Sequence, residues 1–219
     1  MPRALFEKTG SAVYISHLDL LRLFQRAFKR AGLPLTHTKG FNPRPSVSIA
    51  LPLSLGVESR CELLDFDLEG ETVPNEEIVT RLNEKLLPGV KVLTVYDEMR
   101  KLKHLVYLQC TVTLEYDAGV PENALQQIRE LFTRSELLVE KKGKNGPTEQ
   151  NISPMIRKLD VAAVSSHELV LSAIVCCQNP SLNPMQLTCA IERYLPDLKP
   201  DFVRCRREEI YDTEETVFR

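Results

Sequence analysis

No apolar run in the chain approaches the roughly 18 residues needed to cross a bilayer as a helix. The N-terminus also lacks the basic-then-apolar order of a secretion signal, so a cytoplasmic protein with no membrane partner is expected. The six cysteines, Cys61, Cys110, Cys176, Cys177, Cys189 and Cys205, form no C-x-x-C pair and no zinc or iron–sulfur spacing. Most lie inside apolar, strand-like runs and read as small core residues, and without a secretion signal no disulfide is expected. The spacing of His17, His37, His104 and His167 does not support a metal site. No phosphate-binding P-loop, dinucleotide fingerprint or ribonucleoprotein aromatic motif is present, and no cofactor is expected.

What is present is an ordinary globular composition, 43% apolar and 26% charged. The 219 residues suffice for one large domain or for two smaller ones, each with its own core. The net charge of −2 conceals a strong asymmetry. Residues 1–60 hold nine Lys/Arg against three acids, whereas residues 61–100 hold four against ten. Charge sorted in this way points to one basic face, the footprint of a polyanion partner.

Residues 3–8 read as a strand. Ser16-His17-Leu18-Asp19 has the form of a helix N-cap with an acid three residues on. Leu20, Leu21, Phe24, Ala27, Phe28 and Ala31 then repeat at helical spacing, with Asp19, Arg22, Arg26 and Lys29 on the opposite stripe. Gly32 ends this helix. Strands over 47–51 and 60–68, a helix over 74–87 and a strand over 90–95 complete the order strand-helix-strand-strand-helix-strand. That is the split βαβ, or ferredoxin-like, order. A second such series follows: strand 104–116, helix 121–133, strand 136–141, strand 168–178, helix 184–195 and strand 202–211. The expected fold class is therefore α+β, two ferredoxin-like domains in tandem, over residues 1–100 and 101–219. The repeat rests on element order, without residue-level identity between the halves.

Between the first helix and the second strand lies His37-Thr38-Lys39-Gly40-Phe41-Asn42-Pro43-Arg44-Pro45-Ser46. Pro43 and Pro45 fix their own φ and push Asn42 and Arg44 towards extended backbone, while Gly40 is free to take φ > 0. Lys39, Asn42, Arg44 and Ser46 are donors on a stiffened segment. Phe41 either pins the turn into the core or stands free beside those donors, where it would suit an unstacked base.

Three segments together carry a family resemblance. They are Ile15-Ser16-His17-Leu18-Asp19 with the following Phe24-x-Arg26-Ala27-x-x-Arg30-Ala31-Gly32-Leu33-Pro34, then Lys39-Gly40-Phe41-Asn42-Pro43-Arg44-Pro45, then Pro52-Leu53-x-Leu55-Gly56. They resemble the bacterial radical-SAM-linked protein family, a domain of unknown function encoded beside, or fused behind, a cobalamin-binding radical-SAM protein. The resemblance is specific over residues 1–70. Asn151 to Ile156 resembles a further family motif, but Asn151 and Ser153 stand where charged residues are usual. The resemblance implies a radical-SAM enzyme as partner. This chain has no C-x-x-x-C-x-x-C and cannot hold a radical-SAM cluster in the usual way. A looser resemblance is to the CRISPR repeat-processing endonucleases, which pair two ferredoxin-like domains and cut RNA.

The leading expectation is a non-catalytic accessory protein that presents structured RNA, such as tRNA or rRNA, to a radical-SAM modification enzyme. Arg22, Arg26, Lys39, Phe41, Asn42 and Arg44 would hold the RNA. The acids of the second helix (Glu76, Glu77, Glu84) and of the strand before it (Glu62, Asp65, Asp67) would hold the enzyme, with Glu76 and Glu77 as its main contacts. One alternative is a metal-independent ribonuclease with His17 as its acid–base group, near His37, Lys39 or Arg22. Another is a protein–protein adaptor. Lys141-Lys142-Gly143-Lys144-Asn145-Gly146 reads as a basic tip or a soluble turn. Arg204 and Arg206 share one face of the last strand, either facing RNA or salt-bridged, and Arg207 points the other way.

Overall fold

A computed structural model describes residues 2–70, 72–97, 100–143 and 146–219, with backbone alone for 142 and 143. The chain divides into two compact units, residues up to Leu102 with Arg219, and residues 103–218. Among the described residues the fold is α+β, with four α-helices and antiparallel strand pairings. No helix there is long and apolar enough to cross a membrane.

The first unit runs β1 (Pro2–Lys8), a 3-10 turn (Gly10–Tyr14), α1 (His17–Arg30), β2 (Val47–Ile49), β3 (Glu58–Phe66), α2 (Asn75–Asn83) and β4 (Val90–Asp97). β1 lies between β4 and β3, and β2 pairs with the far side of β3. The start of α1 follows its local chemistry. Ser16 Oγ accepts the Asp19 backbone N–H at 3.2 Å and donates to Asp19 Oδ2 at 2.7 Å. The helix buries Leu20, Phe24, Ala27 and Phe28. Phe24 meets Phe6 of β1 edge-on and Phe28 meets Phe66 of β3, both with ring centroids 4.8 Å apart. Gly32, at φ +67°, then turns the chain so that the Leu33 N–H closes back onto Phe28 O at 3.0 Å. That turn aims the chain into the proline-rich loop.

Two ionic groups of β1 are buried. Arg3 Nε and Nη2 donate to Asp65 Oδ1 and Oδ2 at 2.6 and 3.0 Å, across the Arg3–Asp65 register of β1 and β3. Lys8 Nζ donates to the carbonyls of Val13 and Ile15 at 3.0 and 2.9 Å, fixing the link that leads into α1.

The second unit runs β5 (Tyr107–Glu115), α3 (Ala124–Leu131), β6 (Leu138–Gly143), β7 (Gly146–Asn151), β8 (Ile156–Ala163), β9 (Glu168–Cys176), α4 (Met185–Tyr194) and β10 (Phe202–Tyr211). β5 lies between β10 and β9, and β8 pairs with the far side of β9. The strand expected at 136–141 does not join this sheet. It pairs with β7 in a separate hairpin, and β8 takes the place beside β9. The sequence concealed β8 because Arg157, Lys158 and Asp160 interrupt it and only Val161 is fully buried. Asn151 and Ser153 form a backbone staple at the foot of the hairpin. Asn151 Oδ1 accepts from Leu137 N and Ser153 N at 2.9 and 3.1 Å, and Ser153 Oγ donates to Arg134 O at 2.9 Å.

All six cysteines are free thiols. Burial pushes Cys177 and Cys205 up to about 12 and raises Cys110 further, so these behave as the small core residues expected. Cys189 is exposed.

Candidate nucleic-acid interface

The proline-rich loop is an anchored hairpin. Thr36 N donates to Asp67 O, Asp67 N to Ser46 O and Ser46 N to Thr36 O, at 2.9, 3.1 and 2.7 Å. These three backbone bonds close a ring that joins both limbs of the loop to the end of β3. Thr36 Oγ1 adds a bond to Asp67 Oδ2 at 3.0 Å. Bridges His37–Pro45 and Leu35–Leu68 flank the ring. Thr38 and Arg44 close the tip, with Thr38 N donating to Arg44 O at 2.8 Å and Arg44 N to Thr38 Oγ1 at 3.0 Å. Only Lys39 to Pro43 project beyond this closure. Gly40 does not use the left-handed region open to it, since among the described residues it is absent from the positive-φ glycines.

Phe41 stands at the tip with 101% relative exposure, so it contributes nothing to the core. Lys39, Asn42 and Arg44 are exposed around it. Arg22 and Arg26 are exposed on α1, as are Lys29 and Arg30. Seven of the nine basic residues in 1–60 are exposed; the exceptions are Arg3 and Lys8. Arg22 Nη1 pairs with Asp19 at 2.9 Å on open surface, an arrangement of small net energy that phosphate can replace. The Ser16 hydroxyl and then the Arg22 guanidinium hold the Asp19 carboxyl below its ordinary range.

The acidic surface expected over 61–100 is smaller than its sequence suggested. Glu62 is 1% exposed within β3, Asp65 serves Arg3, and Asp67 anchors the hairpin. Strand pairing buries Glu62 and Asp65, and the bond from Thr36 holds Asp67 half-buried, which local spacing could not reveal. Glu76 remains exposed in the first turn of α2, Glu77 is half-buried and bonds Arg81, and Glu84 is exposed.

His17 occupies the first position of α1. Its Nδ1 is shielded from solvent and has no hydrogen-bond partner among the described residues, while the residue as a whole is partly exposed. His37, His104 and His167 are exposed, and no group of metal-ligating side chains occurs among the described residues. Arg204 is tied to Glu115 and Glu168 at 2.6 and 2.7 Å and Arg206 to Glu208 at 2.7 Å. Their face is salt-bridged, while Arg207 is buried on the other face. Within the Lys141–Gly146 tip, Lys144 and Asn145 lie outside the described residues, and Lys141 is in β6.

A family model described as "Uncharacterized protein conserved in bacteria (DUF2344)" matches residues 2–184. The chain belongs to the DUF2344 family. The match runs from β1 to the residue before α4, and so takes in the whole hairpin and α1. A comparison with curated proteins yields no match. Among solved structures, this DUF2344 chain is similar to one in a Cbf5-Nop10-Gar1 complex, with TM-score 0.51 and 8% identity over 95% of its residues. It covers 48% of that chain, about half the neighbour's length. Chains in an archaeal box H/ACA sRNP Nop10-Cbf5 complex and in an H/ACA RNP bound to a substrate RNA containing 2'-deoxyuridine give TM-scores of 0.47 and 0.45, at 8% and 9% identity. Each is covered over 46% of its length by 94% of this chain. At 8% identity the likeness to the first of these is one of fold.

Sequence reasoning missed one feature of this region. A cleft of about 390 Å³ lies where the end of α1 meets the foot of the hairpin, lined by Gln25, Lys29, Pro34, Leu35, His37 and Glu69 among others. Neither Gln25 nor Glu69 belongs to a motif. Glu69 is brought in by its N–H donating to Pro34 O at 2.8 Å, beside the Leu35–Leu68 bridge.

Proposed function

We propose that this protein is a non-catalytic RNA-binding accessory, which holds structured RNA through the anchored hairpin and the basic stripe of α1. The observation behind this reading is the tip itself. A fully exposed aromatic ring between exposed cations, on a backbone closed by a ring of hydrogen bonds, suits a base face and its flanking phosphates. Such an arrangement leaves little ordering entropy to lose on binding. In this reading the fold is a tandem of two ferredoxin-like units, over residues 1–100 and 101–219. In each unit the first strand of a β-α-β-β-α-β series sits between the fourth and third. The β6–β7 hairpin is then an insertion in the second.

RNA affinity should fall with salt, with a log–log slope of roughly −0.7 to −0.9 per neutralised phosphate. Replacing Lys39 and Arg44 together by alanine is expected to flatten that slope by roughly 1.5 without changing the melting temperature. Anisotropy titrations of a folded tRNA across a salt series measure it. An unchanged slope and affinity would remove the hairpin from the interface.

The enzyme that receives the RNA is, on the family resemblance, a radical-SAM protein encoded nearby, and the acidic first turn of α2 is its docking surface. Charge reversal at Glu76 and Glu77 should weaken that complex in a pull-down and leave RNA affinity unchanged or slightly higher. A complex that survives the reversal would place the enzyme elsewhere on the protein.

A further inference from the structure

We propose that the cleft at the foot of the hairpin is a pocket for a single unstacked guanine base, a reading that rests on RNA binding by the hairpin. Its volume of about 390 Å³ falls within the range of small-ligand sites. Pro34, Leu35 and Pro45 give it an apolar lining against which a flat ring can lie. Four residues with polar side chains also line it: Glu69, Gln25, Lys29 and His37. Among the described residues none of these four side chains makes a hydrogen bond or ion pair. Lys29, His37 and Glu69 are exposed and Gln25 is half-buried, so all four side chains that line the cleft are available to a ligand.

The Lys29 ammonium offsets the Glu69 carboxylate, so the cleft has little net charge and suits a neutral base better than phosphate, whose contacts fall to Lys39 and Arg44. The bond pattern then selects the base. A carboxylate offers two acceptor oxygens and no donor. Guanine alone places two adjacent N–H donors, N1–H and N2–H₂, on its Watson–Crick edge. Adenine and cytosine set an amino donor beside a ring-nitrogen acceptor, whose lone pair would face the second oxygen. Uracil sets its one donor between two acceptors. Guanine O6 needs a donor, which the Gln25 amide or the Lys29 ammonium can supply. Reading a splayed-out base on this edge is the usual route to specificity for single-stranded RNA. His37 and Pro45 belong to both the cleft and the hairpin, so a strand laid across the tip can drop one base into the cleft.

The test compares four labelled tetranucleotides, UUUU, UUGU, UUAU and UUCU, by fluorescence anisotropy at one low salt concentration. The native protein is expected to bind UUGU roughly tenfold or more tighter than the others. Glu69→Gln should erase that preference and leave the affinity for UUUU unchanged or slightly higher, with the same number of phosphate contacts and so the same salt slope. Lys39→Ala with Arg44→Ala should weaken all four and leave the ratio intact. Equal affinities in the native protein, a preference for another base, or a guanine preference that survives Glu69→Gln would each overturn the pocket while leaving the phosphate contacts standing. Absence of any binding to the tetranucleotides and to folded RNA would overturn both readings together.

Discussion

Asp65→Ala is expected to destabilise the first unit by about 3–5 kcal/mol, the range found when one partner of a buried ion pair is removed. The Arg3 side chain has no solvent exposure, and its fork meets both Asp65 oxygens, at 2.6 and 3.0 Å. Its remaining nitrogen, Nη1, donates to Arg100 O at 3.0 Å. Removal of the carboxylate takes the Asp65 counter-charge from a buried guanidinium that cannot shed its proton at any accessible pH. Hydrogen exchange of the β1 and β3 amides reports the loss, with β5 and β9 amides as the reference within the same chain. The paired change Arg3→Met with Asp65→Leu should recover most of it, because both charges then leave together. A loss below about 1 kcal/mol would mean that water reaches Arg3 when Asp65 is gone.

That pair also marks where the sequence stopped being legible. Helix α1 could be read from Ser16 through Phe28, because its cap and its apolar spacing are local. The same holds for β10, whose observed span of Phe202–Tyr211 was read directly. Asp65 and Glu62 looked like surface acids, because nothing within a few residues reveals a partner 62 positions away. β7 was invisible for a related reason. Gly-Pro-Thr-Glu-Gln-Asn has no aliphatic or aromatic residue of the kind that marks a strand, and it becomes one by pairing with β6. At the interface, the stiffened loop and its cations could be read from Pro43, Pro45, Lys39 and Arg44. The exposure of Phe41 could not, since a phenylalanine beside two prolines serves equally well as a core pin. The cleft was hidden altogether. Gln25 and Glu69 are 44 positions apart in the chain, and they line one cleft because Gly32 reverses the chain and Leu35 bridges Leu68.

Phe41→Ala separates the roles open to the hairpin. With its ring wholly in solvent, Phe41 contributes no burial, and the closure of the tip uses Thr38 and Arg44. The variant should therefore melt at the native temperature. Stacking of a base on an exposed aromatic contributes about 1–3 kcal/mol by alanine substitution. Affinity for RNA with an unpaired segment should thus drop roughly fivefold to 150-fold, at 1.4 kcal/mol per decade. Phe41→Tyr keeps the π-face and should bind as the native protein does. The salt slope should not move in either variant, because no phosphate contact is lost. This contrasts with the Lys39 and Arg44 double variant, which changes the slope. Anisotropy titrations at two salt concentrations, beside a thermal melt, measure all of these effects. If Phe41→Ala binds RNA normally but fails to retain the enzyme in a pull-down, the tip is a protein-docking knob. RNA would then have to be held by the α1 stripe of Arg22, Arg26 and Lys29 alone.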